Sequence, residues 1–203
     1  DLEIRGAGSL LGAEQSGNMS AVGFDLFAQM LSTAVSATRE GDLKAMDALP
    51  PALSDITVNV PGHTYLPEDY VPDADERVLW YRKIASAATI GAVEDIYNDL
   101  AGKRPDMPQE AQNLFEKARI KAFANEHHIK TVSVVAGKLV VEPIDIPRDK
   151  MVPVRRAGGR YLSDKRKLQL PLRYFKLDEG DNLLAPVAEF LEELEDRELL
   201  VLV

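Results

Sequence analysis

Apolar residues recur at three- and four-residue steps along most of this chain and alternate over shorter stretches. Met19, Val22, Leu26, Phe27, Met30 and Val35 give one apolar face to a helix capped by Asn18 or Ser20, running to about Glu40 and stopped by Gly41. Val78, Leu79, Ile84 and Ala85 form the apolar side of a second helix, Glu76 to about Ala88. Asp73 or Asp75 caps it, and Trp80 and Tyr81 add bulk at its edge. A third helix covers Ile90 to Ala101, with Val93, Ile96, Tyr97 and Leu100 inward and Gly102 as its stop. Pro108 opens a fourth through about Glu126, where Ala111, Leu114, Phe115, Ala118, Ala122 and Phe123 share a face. The last helix starts near Asp181 or Asn182 and buries Leu183, Leu184, Val187, Phe190, Leu191 and Leu194. Glu189, Glu192, Glu193, Glu195 and Asp196 make its other face acidic.

Alternation marks the strands. Ile56 to Val60 reads as one and ends at Pro61-Gly62. Thr131–Val135 and Leu139–Pro143 flank Ala136-Gly137-Lys138 as a hairpin. Leu168–Leu172 and Tyr174–Leu177 form one kinked strand or two short ones, and Pro171 confines them to an edge or a bulge. Residues 145–160 are poorly patterned. The Pro50-Pro51 pair and its polar flanks read as a linker over 42–55. The expected class is α+β: a helical N-terminal half, then a small antiparallel sheet, then a closing C-terminal helix.

With 203 residues, 45% of them hydrophobic, the chain can bury a substantial core. It has no cysteine, which removes disulfides and thiolate metal sites and fits a cytoplasmic protein. No apolar run approaches eighteen residues, so no membrane partner is expected. A net charge of −9 argues against an autonomous high-affinity nucleic-acid binder and suits a basic protein partner.

The least ordinary stretch is Asp1-Leu-Glu-Ile-Arg-Gly-Ala-Gly-Ser-Leu-Leu-Gly-Ala-Glu-Gln-Ser-Gly17. Its glycines mark backbone that turns sharply or is closely approached. A dinucleotide-binding loop is one reading, but the spacing is one residue too long for G-x-G-x-x-G and no βαβ unit follows. A glycine-rich turn into a helix is another. The third is a resemblance. The stretch is similar to the segment that ends the second motor domain of bacterial transcription-repair coupling factors, the Mfd family, and more loosely to the RecG branch-migration helicases. The run Leu66-Pro-Glu-Asp-Tyr-Val-Pro-Asp73, then Arg77 and Tyr81-Arg-Lys-Ile-Ala-Ser86, resembles the opening of the same family's C-terminal domain. The chain departs from that family at Asp99-Leu-Ala-Gly102, where an Arg and an aromatic residue are missing. The family's helix near 145–160 is expected to be short or absent here, given Pro147 and Pro153.

The resemblance implies a longer parent, of which residues 1–41 are the tail of the second motor domain and 56–203 a C-terminal regulatory domain. It implies that Arg5, Gly6, Gly8, Gly12, Glu14, Gln15 and Gly17 form a translocation motif. That motif would couple ATP-driven closure to movement along duplex DNA. ATP and Mg would act in the parent, which displaces stalled RNA polymerase and recruits the repair protein UvrA. The C-terminal domain would pack on the parent's N-terminal UvrB-like module and cover the UvrA-binding surface. The exposed acids of the last helix are the candidate contacts.

Chemistry within the chain itself is sparse. Walker A, H-E-x-x-H and G-x-S-x-G motifs are absent. His127 and His128 are adjacent on a helix end and point in different directions, a poor start for a metal site. Glu68 and Asp69 read as helix-flanking charge. No catalytic residue, metal site or cofactor is expected in this chain. Arg155, Arg156, Arg160, Lys165, Arg166 and Lys167 are the one basic concentration. They are candidate DNA contacts for an accessory DNA-binding domain, or a solvated or protein-binding loop. The purified chain is expected to turn over no ATP in a coupled phosphate-release assay, with or without duplex DNA. Turnover above a heat-killed control would contradict this.

Overall fold

The computed structural model describes residues 55–175 and 182–195. Outside them lie the glycine motif with Arg5, Gly6, Gly8, Gly12, Glu14, Gln15 and Gly17, the helix expected up to Glu40, and nearly all of the 42–55 linker.

The described chain starts in strand β1, Thr57–Asn59. Three helices follow: α1, Ala74–Ser86; α2, Ile90–Lys103; and α3, Gln109–Glu126. Strands β2, Thr131–Val135, and β3, Lys138–Glu142, form a hairpin. A short helix α4, Met151–Arg156, leads to β4, Arg160–Leu162, and β5, Lys167–Pro171. Helix α5, Leu184–Glu195, closes the domain. The five strands lie in the order β1-β2-β3-β5-β4. The class is α+β, as expected. The sheet is mixed rather than wholly antiparallel, because β1 runs parallel to β2 with Thr57 opposite Thr131. The three helices between those strands provide the long crossover that a parallel pair requires.

Local chemistry explains the element ends. Asp73 caps α1, its Oδ1 accepting from the Glu76 amide at 2.7 Å, and Thr89 caps α2 through the Ala92 amide at 3.2 Å. At the end of α3 the Ile129 amide reaches back to the Ala124 carbonyl at 2.8 Å while His128 takes φ 56°. This is a left-handed helix stop made by a histidine instead of a glycine. In the β2–β3 turn Ala136 and Gly137 have φ of 50° and 72°, the two-residue turn that matches strand twist. Lys150 lies buried and donates through Nζ to the Leu194 carbonyl, placing a cation at the C-terminal end of α5.

Two apolar clusters result. One packs the inner sheet face, Val58, Val132, Leu139, Val141, Leu168 and Leu170, against Ile120 and Phe123 of α3 and the apolar stripe of α5. The other joins α1, α2, the N-terminal part of α3 and the 64–71 segment. That segment is pinned by polar contacts: the buried Tyr81 hydroxyl accepts from the Leu66 amide at 2.7 Å, and Arg77 donates to the Val71 and Pro72 carbonyls at 2.7 and 3.1 Å.

Some expectations on α1 and the last strands are corrected. Trp80 and Tyr81 are core residues, whereas Leu79 is 57% exposed. Helix α1 packs through Arg77, Trp80, Tyr81 and Ile84, a stripe that leaves Leu79 outside. Tyr97 is half-exposed instead of inward. Strand β5 occupies 167–171 and 172–174 is a 3-10 turn, while residues 176–177 of the second expected stretch lie outside the described residues; β4 was not expected at all. The 145–160 region does hold a helix, and a short one.

Gly159 is the tightest backbone site on the sheet edge. A Cβ there would lie 2.6 Å from Leu170 Cδ2, 2.9 Å from the Val154 carbonyl oxygen and 3.1 Å from the Gln169 carbonyl oxygen. Two of those atoms are backbone and cannot rotate away. Gly159→Ala is expected to cost about 1–3 kcal/mol in urea denaturation. Gly91→Ala on α2, with open space around the added methyl, should gain up to about 1 kcal/mol.

Candidate interaction surfaces

Helices α2 and α3 leave a groove between them. Val93 and Phe115 form its floor, and Glu94, Tyr97, Asn98, Gln112, Glu116 and Arg119 its rim. The Tyr97 ring stands edge-on to Phe115, 5.3 Å between centroids at 88°, which fixes the half-exposed tyrosine as a wall. Arg119 is the electrostatic centre. It holds Glu116, one turn earlier, at 3.0 and 3.2 Å and reaches across to Glu192 of α5 at 3.0 and 2.6 Å. One guanidinium therefore serves two carboxylates. Glu94 lies close enough to act on Arg119 electrostatically, and Glu189 on Glu116.

Part of the acidic last-helix face expected from the sequence thus joins this rim. Glu192 is held by Arg119, while Glu189 and Glu193 remain exposed. The Glu116–Arg119 spacing was readable as a helical pair; its link to residue 192 was not. Beyond the groove, Asp99 bridges Lys83 at 3.3 Å and Lys103 at 3.0 Å, and both ammonium groups lie over the Trp80 ring at 4.6 and 5.0 Å. This is the Asp99–Gly102 stretch that lacks the family's Arg and aromatic.

The basic run is divided. Arg166 grips Asp145 at 2.8 and 2.6 Å, and Lys167 lies 3.0 Å from Glu142. Arg155, Arg156, Arg160 and Lys165 are exposed, with no carboxylate partner among the described residues. His127 stacks on Phe123 at 4.2 Å. Among the described residues no group of three or more His, Asp or Glu is placed to hold a metal. No helix there is long and apolar enough to cross a membrane.

Residues 60–151 match the TRCF domain family. The chain is 37% identical over 130 residues to the transcription-repair-coupling factor of Escherichia coli (strain K12), covering 64% of this chain and 11% of that protein. It is 33% identical over 132 residues to that of Bacillus subtilis (strain 168), covering 65% and 11%. The Mycobacterium bovis relative is 29% identical over 179 residues, covering 85% and 14%. The chain thus spans about a tenth of the length of these relatives. A crystal structure of the C-terminal domain of transcription-repair coupling factor superposes with a TM-score of 0.54 at 16% identity, covering 69% of this chain and 93% of that one. That likeness shows the fold.

Within the TRCF match, Glu116 and Arg119 answer their shared contact differently. Burial raises the Glu116 pKa, Arg119 opposes it, and Glu192 and Glu189 push it further up. Burial pulls the other way on Arg119, but Glu116 and Glu192 together hold its proton more tightly than usual. The guanidinium has two partners; Glu116 has half of one. The folded chain therefore binds the Glu116 proton more tightly than the unfolded chain, so this group adds stability as pH falls from neutrality towards the ordinary carboxylate range. Glu116→Gln should flatten that part of the stability profile, by less than about 1 kcal/mol across it. Urea denaturation at stepped pH measures it.

Proposed function

We propose that this chain is the C-terminal part of a bacterial transcription-repair coupling factor, and that its described domain is a regulatory protein-interaction module without catalysis of its own. In this reading the domain docks on the parent's N-terminal UvrB-like module and masks the surface that UvrA binds. UvrA competes for that surface. The parent uses ATP and Mg in its motor domains to move on duplex DNA and displace stalled RNA polymerase, in the bacterial cytoplasm. Residues 1–41 belong to the motor's tail and 42–55 link it to the regulatory domain.

The observation that carries the proposal is the acidic rim of the α2–α3 groove, where Glu192 of the last helix and Glu116 share a single arginine and Glu94 lines the same rim. An aromatic wall with excess negative charge fits a basic, partly apolar partner surface. A tethered partner sits at high effective concentration, so a modest polar interface can hold an off state and still release. The TRCF match over residues 60–151 supports the same assignment. A second reading, an accessory DNA-binding role, rests on different residues and is taken up below.

Calorimetric titration of the 203-residue chain with the separate UvrB-like module tests the proposal. Saturable binding that added UvrA displaces is expected. Glu189→Lys combined with Glu193→Lys, both exposed, should weaken it at least about tenfold while leaving the melting temperature near its starting value. No binding with both partners folded, or binding that UvrA leaves intact, would overturn the masking role.

A further inference from the structure

The folded chain regroups its cations. β4 runs antiparallel to β5, so the run from Arg155 to Lys167 is split between the two ends of the sheet. At the end where β4 stops, Arg166 and Lys167 are neutralised by Asp145 and Glu142. At the end where β4 starts stand Arg155, Arg156 and Arg160. The Gly158 and Gly159 amides, bonded to the Arg155 and Val154 carbonyls at 2.9 and 2.8 Å, fold the end of α4 onto the start of β4.

Two further cations arrive there from other parts of the chain. Lys138 opens β3 in register with Pro171, the last residue of β5. Arg173 follows in the 3-10 turn whose first residue, Leu172, donates to the Gly137 carbonyl at 3.0 Å. Lys138, Arg155, Arg156, Arg160 and Arg173 are all exposed, and none has a carboxylate partner among the described residues. The segments that build this end, 132–141, 151–162 and 167–175, contain no Asp or Glu, in a chain of net charge −9. Like charges gathered without counter-charges cost stability through mutual repulsion and raise a local positive field. No contact within the described fold offsets that cost.

We propose that this end of the sheet binds the phosphate backbone of duplex DNA. Four of the five cations are arginines, whose planar fork suits phosphate oxygens bidentately. Arg160 lies opposite Gln169 and Gln169 opposite Val140, so Arg160 and Lys138 share one sheet face. Two strand spacings and two residues along the strand separate their Cα atoms by about 12 Å. That matches the roughly 12 Å width of a major groove, so the two can reach phosphates on either side of it. The Tyr174 ring nearby packs at a steep angle to Phe175 at 5.3 Å and Phe190 at 5.8 Å, and the proposed contacts are to phosphates alone. Binding is therefore sequence-independent and salt-sensitive. It uses different residues from the acidic groove and stands whether or not that groove docks a partner.

The test is fluorescence anisotropy of a short labelled duplex titrated with the 203-residue chain, at salt concentrations between about 50 and 200 mM. Binding is expected at the low end and should fall steeply with salt. Lys138→Gln, Arg160→Gln and Arg173→Gln combined should weaken it at least about tenfold and reduce the slope of log affinity against log salt by about 2–3. Arg155→Gln with Arg156→Gln should do the same in smaller measure. Lys103→Gln, Lys130→Gln and Lys165→Gln combined remove as much charge elsewhere and should change affinity less than about twofold. All substituted positions are exposed, and melting curves confirm that each variant folds. Absence of salt-dependent binding by the unmodified chain, or equal losses in the two triple variants, would overturn the proposal. So would displacement of the duplex by polyglutamate at lower charge concentration than by unlabelled duplex, which would mark an acidic protein as the partner.

Discussion

Helix α3 has almost no side free, and the rest of the domain follows from that. Ten of its eighteen residues are buried. Its first half faces α1 and α2, through Ala111, Leu114, Phe115 and Ala118; its second half faces the sheet and α5, through Ile120, Phe123 and Ala124. A helix enclosed by two cores cannot tilt for one without opening the other, because packed interiors yield little. Its polar residues work as ties. Asn113 accepts from Asn182 at 2.8 Å and donates to the His63 carbonyl at 3.1 Å, joining the start of α5 to the loop after β1. Asn125 donates to the Ala88 carbonyl at 3.0 Å and fixes the α1–α2 turn. Arg119 completes the set by reaching Glu192.

That constraint separates what the sequence disclosed from what it withheld. Helices α2, α3 and α5 and the β2–β3 hairpin were legible because each writes its own period, and short-range turn chemistry marks their ends. Leu79 misled because periodicity gives a stripe of apolar residues without saying where its centre lies. Arg77 fixed the centre instead, since its guanidinium can satisfy the Val71 and Pro72 carbonyls only from inside. The parallel β1–β2 pairing joins residues more than seventy positions apart and leaves no local trace. β4 is three residues long and follows a Gly-Gly pair, too little for any alternation to register.

The same division holds for surfaces. The acidic face of α5 could be read from its spacing, but not that it would close on the α2–α3 groove. The basic run could be read as a cluster, but topology decides which cations share a surface. The resemblance motif has a different character. Leu66, Tyr70, Val71, Arg77 and Tyr81 are all buried, and the polar groups of the last two bond to backbone. Tyr70 likewise donates to the Arg104 carbonyl at 2.7 Å. Its most recognisable residues therefore record how the 64–71 segment is held against α1 and α2. They identify an architecture, and the residues that could meet a partner lie elsewhere.

A net charge of −9 hides two surfaces of opposite sign, carried by different elements: acids on α2, α3 and α5, cations on α4 and strands β3 and β4 with the turn after β5. Exposed ion pairs are each worth only about 0–1 kcal/mol, so neither surface can hold a free partner tightly through charge alone. Tethering changes that weighting. A contact of modest affinity between separate molecules becomes almost fully populated when its partner is covalently linked, and a competitor or a rise in salt can still reverse it. A rim built from partly exposed carboxylates around one arginine would make a contact of that reversible kind. A large apolar interface would hold more firmly and would release only at the cost of exposing its core to water.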